Sequence, residues 1–369
     1  MEKRGDGPTV HEAPAKAEDR RPSYLLIRTG TLRRLLLTVL VIAVLTVIVV
    51  VARHTLAQST HVLAAANPAW LLLALAAEAV SLTAFGLSRR ALLRANGDHV
   101  RLRPVMAITY ASNALSISVP FAGAELAVVF SYRQLRRTGL AAATTSWALT
   151  ASWICSTSAL ALLLAAGAAV GGGSGNAGTA ASVAGFAGAA LYLLPAAGVL
   201  LALRFDRVRA ALRAVLSRLA ALSKRLLGKP ADGAAGVDTF IDDVSSTRLS
   251  LPGYAWVFGL AVANWAFDCA ALALSIRAMG QPVPWDNLLL VYGAGAAVGS
   301  TGLTPGGFAL VELALTAALT ASGLHASSAL AAVLAYRVVN FWLVLLGGWI
   351  TMAVGGYGRA EDRTTRRGD

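Results

Sequence analysis

Ten apolar segments, at about 33–52, 68–87, 104–120, 122–138, 140–168, 179–203, 251–277, 285–304, 306–322 and 326–356, alternate with polar connections along the chain. Several run for some 18 or more residues with almost no charge, enough for a helix to cross a ~30 Å hydrocarbon core. The pattern predicts an all-α integral membrane protein. Two pairs of segments read as hairpins. The arms 104–119 and 122–137 hold about 16 residues each, ~24 Å of helix. A proline stands at each turn: Pro120 in Val119-Pro120-Phe121-Ala122-Gly123 and Pro305 in Leu303-Thr304-Pro305-Gly306-Gly307. Proline and glycine there free backbone groups, which is tolerable at depth only where protein or a wet cavity satisfies them. Re-entrant pairs fit this better than full crossings. Both have the same parity, so charge counting is compatible with either.

The charge on the connections turns these segments into a path. Residues 1–34 hold eight Lys/Arg, 88–103 five, 133–137 three, 204–250 nine and the C-terminal tail four. The connections 53–67, 169–178, 278–284 and 323–325 hold only Arg53. The positive-inside rule makes the basic group cytoplasmic and the bare group external. The path then closes with both termini inside, as expected of a multi-pass plasma-membrane protein. It has a disordered cytoplasmic tail over 1–32, a single membrane domain over 33–356 and a second tail over 357–369. The first run, Leu35 to Ala52, is too long for the apolar part of a signal peptide and is read as a retained helix. Over 204–228, Phe205, Val208, Leu212, Val215, Leu219, Leu222 and Leu226 recur at three and four residues among seven basic residues. Two readings fit this basic amphipathic helix: contact with an anionic leaflet, or an extension packed on the protein. A flexible loop follows it, through about 247.

Composition agrees with that picture and removes alternatives. The 369 residues are 56% hydrophobic and 14% charged, against ~25% charged in a soluble domain, which excludes a water-soluble fold. A net charge of +13 would suggest nucleic acid in a soluble protein. Here the excess records topology, and no nucleic-acid partner is expected. Cys155 and Cys269 both lie in apolar runs and offer neither a disulfide framework nor metal-type spacing. No metal or cofactor is expected. All five histidines lie outside the spans or at their edges, and neither H-E-x-x-H nor G-x-S-x-G occurs, so metal or serine hydrolysis is disfavoured.

The second hairpin repeats the first in order and kind. Pro120 to Glu125 leads to Gly139-Leu140 and a long helix with Trp147 and Trp153; Pro305 to Glu312 leads to Gly323-Leu324 and a long helix with Arg337 and Trp342. Two repeats are predicted, about 33–168 and 179–356, each with three transmembrane helices and one re-entrant pair. Three crossings is an odd number, so the second repeat is inverted relative to the first, an architecture that recurs in transporters.

Ionisable residues at depth are costly and mark sites or partners. Glu78, Glu125, Asp268, Glu312 and Arg337 remain once the cytoplasmic and interfacial charges are set aside. Glu125 and Glu312 each follow a hairpin proline by no more than two turns. Either they cap their own helices or they meet a cationic headgroup, a proton or Arg337. The preferred site is a cavity formed by Glu125, Glu312 and Arg337, with Asn340 on the face of Arg337. The broken tips Pro120, Gly123, Pro305, Gly306 and Gly307 offer amides to a lipid phosphate. Glu78, Asp268 and Asn113 are secondary candidates, as cavity lining or as interhelical hydrogen-bonding groups.

At Pro305-Gly306-Gly307 with Glu312, Arg337 and Phe341-Trp342, the chain resembles the membrane flippase region of lysylphosphatidylglycerol synthases, the multiple peptide resistance factor type, in a stand-alone form. The layout matches over about 33–356, and the first hairpin, Asn113 to Glu125, matches more loosely. The resemblance implies a lipid-translocating helical domain with two inverted re-entrant repeats. The first hairpin departs from the family: it has Phe121-Ala122 where arginine is usual near the proline, and Leu126 to Val128 in place of a following arginine. Only a dozen residues follow Tyr357, so the family's aminoacyl-transferase domain, and with it enzymatic lipid aminoacylation, is not expected. The leading expectation is a non-enzymatic transporter moving a phospholipid or polyprenyl-linked amphiphile between leaflets, possible as a homo-oligomer. The rivals are a non-catalytic partner of an envelope-modifying enzyme and, behind it, a membrane-embedded lipid-modifying enzyme.

Overall fold

The computed structural model describes residues 66–95, 100–171, 176–205 and 249–354, with positions 207, 210 and 214 between. The predicted first helix over 33–52, both tails, and most of the 204–250 segment lie outside the described residues. Those described form helices joined by short turns, with no strand among them. Four are long and apolar enough to cross a membrane: α1 (Pro68–Leu93), α4 (Ala142–Val170), α6 (Leu251–Ala278) and the continuous Ala326–Val354. The last is divided into α9 (Ala326–Arg337), a π-helical stretch (Val338–Leu343) and α10 (Val344–Val354). The chain is a multi-pass helical membrane protein.

Helix starts follow from local chemistry. Asn67 caps α1, its side chain accepting from the Ala69 amide at 3.0 Å with Pro68 as the first helical residue. Ser250 caps α6 in the same way, accepting from Gly253, with Pro252 in the first turn. Each cap satisfies a donor the helix itself cannot, and each proline occupies a position whose N–H has no helical partner. The two helices run antiparallel in tight contact. The Asn67 amide donates to the Ala278 carbonyl at one end, and Ser81 and Asn264 exchange hydrogen bonds halfway along, at 2.8 and 3.1 Å. Buried small residues, among them Ala74, Ala77, Ala271 and Ala273, allow the close approach that binds helices where no hydrophobic effect drives them together.

The two hairpins are short helix pairs. α2 (Leu102–Ser118) and α3 (Gly123–Arg137) have 17 and 15 residues; α7 (Leu288–Gly299) and α8 (Leu310–Ala321) have 12 each. At 1.5 Å per residue these span about 18–26 Å, less than a hydrocarbon core. Both tips carry strained backbone: Phe121 at φ 60° in the first and Ala309 at φ 66° in the second are the non-glycine residues with positive φ among those described. The tips touch each other, the Phe121 amide donating to the Gly302 carbonyl at 2.7 Å. α5 (Asn176–Arg204) packs against α4, and α10 packs against α2, where Trp349 Nε1 donates to Ser118 Oγ at 3.0 Å.

Candidate functional site

A cavity of about 1070 Å³ opens between these elements. It is larger than most small-molecule pockets. Its walls are mostly apolar and its polar groups are concentrated. One stripe of α1, Glu78, Ser81, Leu82, Phe85 and Arg89, forms one wall, as helical spacing dictates for residues recurring at three and four. Asn113 from α2, Trp153 from α4, Asp268 from α6, Tyr292 from α7 and Gly306 from the second tip complete it with Arg337 and Asn340.

Arg337 ends α9 and is 5% exposed. Its Nε donates to Glu312 Oε1 at 2.7 Å and its Nη2 to the Gly306 carbonyl at 2.8 Å. The guanidinium carbon lies 4.5 Å from the centre of the Phe341 ring. A buried charge needs this: paired, hydrogen-bonded and stacked. Glu312, in the first turn of α8 and itself buried, stands behind Arg337, away from the cavity wall. Its Oε2 has no hydrogen-bond partner.

Gly306 makes this clamp sterically feasible. It adopts φ 54°, and a Cβ there would lie 2.1 Å from the Phe341 ring. Only glycine tolerates both the left-handed backbone and the contact.

A second cluster is built around Asp268. Tyr292 donates to Oδ2 at 2.7 Å, Tyr336 to Oδ1 at 2.7 Å and Asn340 Nδ2 to Oδ1 at 2.8 Å. Glu78, 4% exposed, faces Asp268 and Asn340, and its Oε2 is buried without a partner. Two carboxyls from α1 and α6 therefore meet at the middle of the crossing, with no cation bonded to either among the described residues. The π-helical stretch contributes here. A π turn widens the helix and recurs at functional sites, and this one presents Asn340 to Asp268 directly after Arg337 reaches Glu312.

The predicted residues are thus distributed unevenly. Glu312, Arg337 and Gly306 come together, and Asn340 joins Glu78 and Asp268 in the adjoining cluster. Asn113 lines the cavity. Glu125 lies exposed in the first turn of α3, outside the cavity lining and not with Glu312 and Arg337. Pro120, Pro305 and Gly307 shape the tips without lining the cavity, and the Gly307 amide is already bonded to the Thr304 carbonyl. Gly123 is buried, its Cα so close to the Ser116 carbonyl that a Cβ would overlap it.

Tyr292, Tyr336 and Arg89 are among the cavity residues that sequence reasoning does not single out. Tyr292 and Tyr336 carry hydroxyls inside apolar helices, and a buried tyrosine hydroxyl calls for a partner. That signal was present. Arg89 was counted with the cytoplasmic bases, but its spacing of 11 from Glu78 puts both on one face of α1.

The family model for the lysylphosphatidylglycerol synthase TM region matches residues 35–348. No curated protein matches the chain.

Proposed function

Because the chain belongs to the lysylphosphatidylglycerol synthase TM region family, we propose that it is a lipid transporter of the flippase type, without enzymatic activity of its own, moving a phospholipid or polyprenyl-linked amphiphile between leaflets of the plasma membrane. The observation that carries this reading is the cavity: apolar walls large enough for a headgroup and the start of its chains, with buried charge clusters at Arg337–Glu312 and Glu78–Asp268. Apolar walls accept lipid chains, and the polar clusters offer a headgroup partners that a hydrocarbon core does not.

Several observations support two inverted repeats. If α1 corresponds to α6, α2 to α7, α3 to α8 and α4 to α9–α10, the packing of α10 on α2 is matched by that of α4 on α7, and that of α6 on α9 by that of α1 on α4. Strained residues stand at both tips, Phe121 and Ala309, and positive-φ glycines, Gly139 and Gly323, precede both third helices. With both termini cytoplasmic, rocking of one repeat against the other exposes the cavity to each side in turn. Arg337 and Asn340, with Glu78 and Asp268, would meet the headgroup, and Glu312 would hold Arg337 in place from behind. Glu125 would act at the tip.

The test is reconstitution into proteoliposomes containing fluorescent phospholipids and a polyprenyl phosphate. Wild-type protein is expected to accelerate leaflet exchange of at least one of them, and Arg337→Ala to abolish that acceleration. Absence of exchange for every headgroup class overturns the reading.

A further inference from the structure

Arg89 is a half-buried cation that neither cluster uses. Its guanidinium carbon lies over the Phe85 ring, 4.7 Å from the centroid. Nη1 reaches Ser112 Oγ only at 3.5 Å. Nε is buried with no hydrogen-bond partner. The carboxylates of the two clusters are not available to it: Glu312 is bonded to Arg337, and Glu78 sits with Asp268, some 16 Å away along α1. Among the described residues no carboxylate pairs with Arg89. The residue nevertheless lines the cavity, as does Ser112 beside it.

A guanidinium whose Nε is cut off from water and meets no acceptor carries a desolvation cost. Its planar fork of donors matches an acceptor-only oxygen group such as a phosphate, while the flanking Ser112 hydroxyl, which donates to the Thr109 carbonyl at 2.9 Å, holds the fork in place as an acceptor. Depth agrees with a lipid source. Glu78 is the eleventh of the 26 residues of α1 and Arg89 the twenty-second. With Glu78 near the bilayer midplane, Arg89 stands about 16 Å from it, close to the ~15 Å at which the hydrocarbon ends and headgroup phosphates begin. On the path read from the charges, that end of α1 is cytoplasmic.

We propose that Arg89, stacked on Phe85 and flanked by Ser112, is an anion subsite that receives the phosphate of a lipid headgroup as it enters the cavity from the cytoplasmic leaflet. The proposal rests on the transport reading for its direction and on the geometry of Arg89 for its chemistry. The substrate class narrows to amphiphiles bearing a phosphate near the glycerol or polyprenyl end.

Calorimetric titration of the full-length, detergent-solubilised protein tests it with three probes: dihexanoyl phosphatidic acid, dihexanoylglycerol and inorganic phosphate. Phosphatidic acid is expected to bind at least about tenfold more tightly than the phosphate-free lipid, and Arg89→Gln to lower that affinity ~10- to 100-fold, the worth of a charged hydrogen bond. Arg89→Lys, which keeps the charge and loses the fork, should fall between.

Equal binding of the two lipids, or an Arg89→Gln protein that binds phosphatidic acid like wild type, overturns the subsite. Inorganic phosphate binding as tightly as phosphatidic acid overturns the lipid source. Should Arg89→Gln not fold, Arg89→Lys and Ser112→Ala decide: an unchanged preference for the phosphate-bearing lipid in both overturns the assignment. Failure of the two readings is separable. Phosphate binding through Arg89 without leaflet exchange sinks transport alone, and leaflet exchange with no contribution from Arg89 to binding sinks the subsite alone.

Discussion

Arg337 has three partners of different kinds, and removing each tests a different term. Glu312→Ala leaves a buried guanidinium without its carboxylate, a change that costs about 3–5 kcal/mol when a buried pair is broken. Glu312→Gln keeps an acceptor and the shape, so it should cost less. Thermal unfolding in detergent should rank wild type, Glu312→Gln and Glu312→Ala in that order. An Ala variant as stable as wild type would mean that Arg337 finds another anion in the folded protein. Gly306→Ala tests the backbone side of the clamp. The added methyl must displace the Phe341 ring and hold φ 54°, at a cost of ~1–2 kcal/mol for the left-handed backbone alone. Its expected effect is a lowered unfolding midpoint, with Arg337 and Glu312 both still present.

At the scale of elements, the hairpin tips hold residues in backbone states that their side chains resist. Ala309 has φ 66° and ψ −38°, outside the left-handed helical well. Ala309→Gly relieves that strain while adding a smaller unfolded-state entropy cost of about 0.4–1 kcal/mol, so stability should hold or rise. Ala309→Val should lower it, by about 2 kcal/mol, because a branched Cβ is the least tolerant of positive φ. Equal unfolding midpoints for the two variants would show that the tip relaxes to another conformation.

These tips also show how far sequence carries. Proline and glycine placed the breaks at Pro120 and Pro305, since the two residue types close together disfavour helix on both sides of the turn. Hydrophobic length supplied the long helices for the same local reason. Which side chains meet across helices depends on rotation and register, which no single segment encodes. Arg337 and Glu312 could be paired because both were isolated charges. Asp268 stands out in the sequence, but its partners Tyr292, Tyr336 and Asn340 come from α7, the end of α9 and the π-helical stretch that follows it. Charge counting passes over Arg89 as a cavity residue because it averages over a stretch, whereas α1 continues to Leu93 and turns its residues individually. Arg90, one step round the helix, donates to the Val100 carbonyl at 3.0 Å while Arg89 faces the cavity.

For the whole molecule, every mechanistic statement about direction depends on which end of the cavity faces the cytoplasm. The basic connections supply that orientation through an asymmetry of Lys and Arg that insertion reads, and it can be measured without any transport assay. In a background with Cys155 and Cys269 replaced by serine, Gly172→Cys and Ala321→Cys should react with a membrane-impermeant maleimide on intact cells, and Pro230→Cys only after permeabilisation. Residue 172 lies in the connection that follows the first proposed repeat and residue 321 lies within the second, so the pair examines more than orientation. Position 321 ends α8 and is exposed, and it is external only if α7 and α8 return to the side from which they left. Labelling of 172 alone would place 321 on the other face and break the odd count of crossings that inverts the second half. Alternating access would then lose its geometric basis. Labelling of both, with 230 protected, puts Arg89 at the cytoplasmic end of α1, where a phosphate from the inner leaflet would first meet it.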